Sequence, residues 1–280
     1  ASWCGIVGLK PSYGRVSRYG LIAMASSTDS PGPLAKTVAK ARKLYKIIAG
    51  VDPKDATTRE FSNISKPVKT IGLPKEYFRS ESQKDVNKAV LTAAKVYERQ
   101  GYKIIDVSLF DPKYAIAAYT ILQRSEVSSN LARFDGIRYG HDRDFFNEEN
   151  KRRIILGTYT LQAGYYDAYY KKAQQVRSLI IDDFKKVFES VDLLLAPTMP
   201  TIAPKIGVTS GQSMYGELAD ILTEPSAIAG LPAISIPCGF TEGLPIGLQL
   251  IGPAGSEDQI LDTAEVYEKQ TAWHLQKPKL

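Results

Sequence analysis

The stretch from Val68 to Val107 constrains the fold more than any other part of the chain. Val68 to Leu73 reads as a strand stopped by Pro74. Asp85 to Gln100 then repeats Val86, Val90, Ala93/Ala94 and Tyr97 at three- and four-residue steps before Gly101, which predicts a helix with one buried face. Tyr102 to Val107 reads as a second strand. Strand, helix and strand in so short a span form a βαβ unit, whose crossover makes the two strands parallel and lays the helix on the sheet. The fold class that follows is α/β, with a mixed sheet flanked by helices.

The rest of the pattern extends that sheet. Asp192 to Ala196, ended by Pro197, reads as a buried strand. Ala233–Pro237 and Ile246–Ile251, on either side of Thr241-Glu242-Gly243, read as a hairpin. Residues 1–33, rich in Gly, Ser and Pro, suggest short strands joined by tight turns. Pro33 is expected to open a helix carrying Leu34, Val38, Ala41, Tyr45 and Ile48 on one face, with Gly50 as its stop. Further helices are expected over Tyr114–Phe134, over about Thr158–Ser190 and over about Glu257–Gln270. Tyr169, Ala173, Val176, Ile180, Phe184 and Val187 form the stripe of the long one. No linker interrupts the 280 residues, so a single domain spanning 1–280 is predicted.

Composition excludes several function classes. With 44% hydrophobic and 24% charged residues, the chain can bury enough apolar surface to fold, so disorder is not its dominant state. Two cysteines, Cys4 and Cys238, exclude a disulfide scaffold and read as small core residues; two histidines make a histidine metal centre improbable. No apolar run reaches membrane-spanning length, and the first residues lack the pattern of a signal peptide, so a cytoplasmic location is expected. The absence of an initiator Met suggests a fragment. The net charge of +6 is spread along the chain, with Lys151-Arg152-Arg153 as its one tight basic run, and reads as a solvated surface. There is no phosphate-binding glycine loop, no G-x-G-x-x-G and no G-x-S-x-G elbow.

Longer motifs say more. ASWCGIVGLKPSYGRVSRYGL (1–21) resembles the second half of the amidase signature. SSNLARFDGIRYG (128–140), KRRIILG (151–157), GYYDAYYKK (164–172) and GLPAISIPCG (230–239) narrow the resemblance to the A-subunit family of glutamine-dependent Glu-tRNA(Gln)/Asp-tRNA(Asn) amidotransferases. That resemblance implies the amidase-signature fold without its N-terminal part. It also implies a parent reaction in which glutamine is deamidated through an acyl-enzyme and the ammonia passes to a B subunit. In the family, the B subunit activates the misacylated tRNA with ATP and Mg²⁺, and a small C subunit straps the other two together. No cofactor is implied for this chain itself. The family's Lys, cis-Ser and nucleophilic Ser lie upstream of the position matching Ala1, so Ser2 is not the nucleophile and no catalytic residue is assigned here. The connection from His141 to Asn150 is shorter than the family's usual insert.

What the resemblance carries over is a donor pocket. Free glutamine is a zwitterion, whose carboxylate calls for a cation with paired donors and whose ammonium calls for a carboxylate. The matching positions are Arg153 for the α-carboxylate, Asp220 in LADIL (218–222) for the α-ammonium, and Tyr119 for a wall and a hydroxyl. From residue type alone, Arg153 reads as a surface cation, Asp220 as a helix-face charge and Tyr119 as half-buried core. A general amidase and a non-catalytic binding fragment are the competing readings. Loss of upstream elements is expected to uncover apolar surface at Gly5–Leu9 and on the helices at Leu34–Ile48 and Tyr165–Phe188, inviting self-association.

Overall fold

The computed structural model describes residues 1–62, 64, 66–207 and 215–278. The first half contains β1 (Val7–Lys10), β2 (Leu34–Ala35), α1 (Val38–Ile48), β3 (Thr70–Pro74), α2 (Lys84–Arg99), β4 (Lys103–Val107) and α3 (Pro112–Leu131). The second contains α4 (Glu148–Leu161), α5 (Lys172–Val187), β5 (Leu193–Pro197), α6 (Tyr215–Ala219), α7 (Glu224–Ile228), β6 (Ala233–Thr241), β7 (Leu244–Ile251) and α8 (Glu257–Gln270).

The strands form one sheet in the order β2-β1-β6-β7-β5-β3-β4. The predicted βαβ unit is present: β3 runs parallel to β4, with Ile71 beside Ile104, and parallel to β5, with Gly72 beside Leu194. All other pairings are antiparallel, including the β6–β7 hairpin, so the sheet is mixed. Glu242 and Gly243 take positive φ at the hairpin turn.

Helices cover both faces. Alternation along β5 sends Leu193 and Leu195 into a core shared with α1, α2 and α8, and Leu194 and Ala196 into a second core shared with α3, α5 and α7. In the first core Tyr97 lies stacked on Tyr267 and edge-on to Tyr102, both at 5.5 Å between ring centroids. The helix α4 forms an outer layer against α3. At that seam Gly157 is obligatory, because a Cβ there would collide with the Arg124 carbonyl.

Several sequence expectations are corrected. Helix α1 starts after Thr37, whose side chain accepts the Lys40 amide, and Leu34 belongs instead to β2. The long helix expected over Thr158–Ser190 is two helices. Asn147 caps α4 by accepting the Asn150 amide, with Glu148 and Glu149 in the first turn. The chain then turns at Gln162–Tyr166 and resumes through a π turn at Asp167–Lys171. Cys238 is buried as expected, but Cys4 is exposed. Gly5–Leu9 is no open edge: β1 pairs with β2 on one side and β6 on the other, and Val7 and Leu9 are buried.

Candidate functional site

The three residues singled out by sequence sit on elements that converge on α3. Tyr119 lies in the middle of α3, half-buried against the core it shares with α5 and α7. Arg153 lies on α4, which packs along α3, and Asp220 follows α6, with α6 and α7 both against α3. Asp220 is exposed at the head of α7, where its carbonyl accepts the Thr223 amide at 2.8 Å, the Thr223 hydroxyl at 2.9 Å and the Glu224 amide at 3.0 Å.

Arg153 is held from below. Its Nε donates to Glu149 Oε1 at 2.6 Å, one helical turn back, and Arg153 makes no other hydrogen bond among the described residues. Glu149 also accepts from Arg152 Nε at 2.8 Å and Nη2 at 3.0 Å. The hydrogen bond from Arg152, followed by that from Arg153, holds the Glu149 carboxyl down at about 2. A guanidinium oriented through Nε keeps its two terminal nitrogens for a second anion, which is the geometry a bidentate carboxylate needs.

Around these helices run contacts that the sequence did not announce. Tyr159, Tyr165 and Tyr169 cluster at the junction of α4 and α5, with the first two rings stacked at 4.3 Å. The loop 23–29 is tied to α3 by Glu126, which accepts the Ser27 amide at 2.9 Å, and by Asn130, which donates to the Met24 carbonyl at 3.0 Å. Arg18, Tyr19, Leu21, Ile22, Asp29 and Lys54 are among the residues lining an open cavity of about 430 Å³ beside that loop. There Arg18 holds the Asp55 carboxyl well below the usual carboxylate range, mainly through its side-chain hydrogen bond. None of the three candidate residues lines this cavity.

A seven-stranded mixed sheet between two helical layers is the α/β frame on which these residues stand. The chain belongs to the Amidase family, which it matches over residues 1–261.

Its curated relatives include the A subunit of glutamyl-tRNA(Gln) amidotransferase from Roseiflexus castenholzii, 46% identical over 100% of this chain and 62% of the relative. The protein of the same name from Thermodesulfovibrio yellowstonii is 48% identical, over 100% of this chain and 63% of the relative. The chain thus spans about three-fifths of the length of these relatives. The crystal structure of the corresponding A subunit from Thermotoga maritima superposes with a TM-score of 0.81 at 40% identity, over 96% of this chain and 59% of that one. A 6-aminohexanoate cyclic dimer hydrolase, at 20% identity and TM-score 0.83, shares the fold. Among the described residues no helix is long and apolar enough to cross a membrane.

Proposed function

We propose that these 280 residues are the amide-donor recognition part of an A-type subunit of a glutamine-dependent tRNA amidotransferase. The observation that carries this reading is the 46–48% identity to such subunits over the whole of this chain. The arrangement of Tyr119, Arg153 and Asp220 on elements that all pack on α3 supports it. In this reading Arg153 takes the glutamine α-carboxylate through its terminal nitrogens, Asp220 takes the α-ammonium, and Tyr119 closes the side.

The covalent chemistry belongs to residues this sequence does not contain. Ser2 is buried in the turn that precedes β1, and its Oγ faces Gly247 of β7, a glycine that offers no base to a nucleophile. The 280 residues by themselves therefore bind donor without releasing ammonia. ATP, Mg²⁺ and most contacts to the misacylated tRNA belong to the B subunit of the complex, with a C subunit joining the two. The 1–280 segment acts as one domain within that assembly.

The test is a glutamine titration followed by saturation-transfer NMR. Arg153→Ala and Asp220→Ala should each weaken binding at least about tenfold, the equivalent of about 1.4 kcal/mol. Binding that survives both substitutions would remove the pocket assignment.

A further inference from the structure

We infer that Gln249 and Arg177 are positioning residues that suspend the Asp220–Ile228 segment by its two ends and so set where the Asp220 carboxylate stands. The inference rests on the reading of Asp220 as the ammonium partner and names what holds that residue in place.

At the near end, Gln249 projects from the middle of β7 and is 1% exposed. Its amide nitrogen donates to the Leu222 carbonyl at 2.7 Å and to the Pro197 carbonyl at 2.9 Å. A primary amide has two donor hydrogens, so both are used, and the orientation of the group is fixed by two acceptors. Pro197 ends β5, a strand buried along its whole length, so the Leu222 carbonyl is tied through one side chain to the rigid centre of the sheet. Leu222, itself fully buried, lies two residues after Asp220.

At the far end, Arg177 of α5 donates from Nε to the Ile228 carbonyl at 2.7 Å, in the last turn of α7. Its other nitrogens reach the loop 23–29: Nη1 donates to Ser27 Oγ and Nη2 to the Ser27 carbonyl, each at 3.0 Å. Ser27 in turn donates its amide to Glu126 on α3, the helix that carries Tyr119. One guanidinium thus joins the α7 terminus, the loop and, through Glu126, the wall of the proposed pocket.

Between these anchors Asp220 is exposed, while Ile221, Leu222, Glu224, Pro225, Ser226 and Ile228 are buried. The short helix α7 is capped by backbone and hydroxyl bonds to the Asp220 carbonyl, so the turn at 220–224 moves as a unit with Asp220. Loss of the Gln249 donor leaves two buried carbonyls without that partner. The turn, which reaches solvent at Asp220, relaxes more readily than the end of β5, which is buried along its whole length.

The experiment compares two ligands. Glutamine carries the ammonium; glutaramate, the same molecule without the α-amino group, keeps the carboxylate that faces Arg153. Gln249→Met preserves volume and removes the donors. Arg177→Met attacks the other end from a half-buried helix position, and Arg177→Lys restores a single donor. Circular dichroism and thermal unfolding establish that each variant is folded at the assay temperature. The expected result is at least about a tenfold loss of glutamine affinity in both Met variants, with glutaramate changed less than about twofold and Arg177→Lys in between. Equal losses for the two ligands, or no loss for either, would overturn the positioning role. A parent chain that binds neither ligand would instead overturn the zwitterion-site reading beneath it.

Discussion

On the face of β6 and β7 that meets α2 and α8, Ile234, Ile236, Leu248 and Leu250 are all 2% exposed or less and pack within an apolar core. On the opposite face of the same strands stand Ser235 and Gln249, paired directly across the ladder. Thr198 shares a hydrogen bond of 2.9 Å with the Ser235 hydroxyl, and Gly247 leaves the space into which Ser2 turns its side chain. Both faces are buried, but the first is hydrocarbon throughout, while the second sets hydroxyls and an amide among Ala233, Ile251 and the other apolar core. Buried polar groups demand partners and fix geometry, whereas hydrocarbon supplies stability with little directional constraint. The polar face is the one that meets the turn bearing Asp220, so the division of labour runs through the thickness of a single sheet.

The contrast is broken most severely by truncation on the apolar face. Leu195→Ala, beneath α2, should cost about 2–5 kcal/mol, read from denaturant unfolding, while Ser235→Ala on the other face should cost about 1 kcal/mol. Equal costs would erase the distinction between the two faces. Next in size is Gly157→Ala. The added methyl group must push α4 away from the Arg124 carbonyl, which should cost about 1–3 kcal/mol and weaken glutamine binding with it, because Arg153 rides on α4. Calorimetry on the variant separates the two effects.

The remaining expected effect is electrostatic. Lys10 ends β1, and its Nζ donates to the Pro11 carbonyl at 3.1 Å. Burial lowers its ammonium to about 8, against the opposing pull of Glu257 and then Glu224. An unfolded lysine titrates near about 10.4, so between these values the unfolded chain keeps a proton that the folded chain has released. Stability should therefore rise with pH from about 8 to about 10.4, and Lys10→Met should flatten that part of the profile. Urea midpoints at three pH values suffice to check the slope.

The apolar half of this comparison is largely legible in the sequence. Leu193–Ala196 and the two arms of the hairpin are runs whose hydrophobicity allows little but buried strand, and α2 announces itself by period. The break between α4 and α5 escapes a reading by period because the apolar stripe from Tyr169 onward is strong enough to hide the turn at Gly164. The signal that locates α4 is the cap Asn147 followed by Glu148 and Glu149. Tyr119, Arg153 and Asp220 rest on motif resemblance, since nothing in their spacing places them around one helix. Gln249 does leave a trace, as the one amide in the apolar run Ile246–Ile251, but its partners at Pro197 and Leu222 are remote in sequence and only the folded sheet brings them together.

The central claim, a donor-binding segment without the means to cleave the donor, is tested most directly with glutamine labelled with ¹⁵N at its side-chain amide. Proton–nitrogen spectra followed over hours in the presence of the purified chain report binding and hydrolysis together. The account predicts broadened or shifted amide signals, restored to their free positions by Asp220→Ala, and no growth of labelled ammonium. Steady ammonium release that survives Ser2→Ala, or amide signals untouched by the chain, would contradict it.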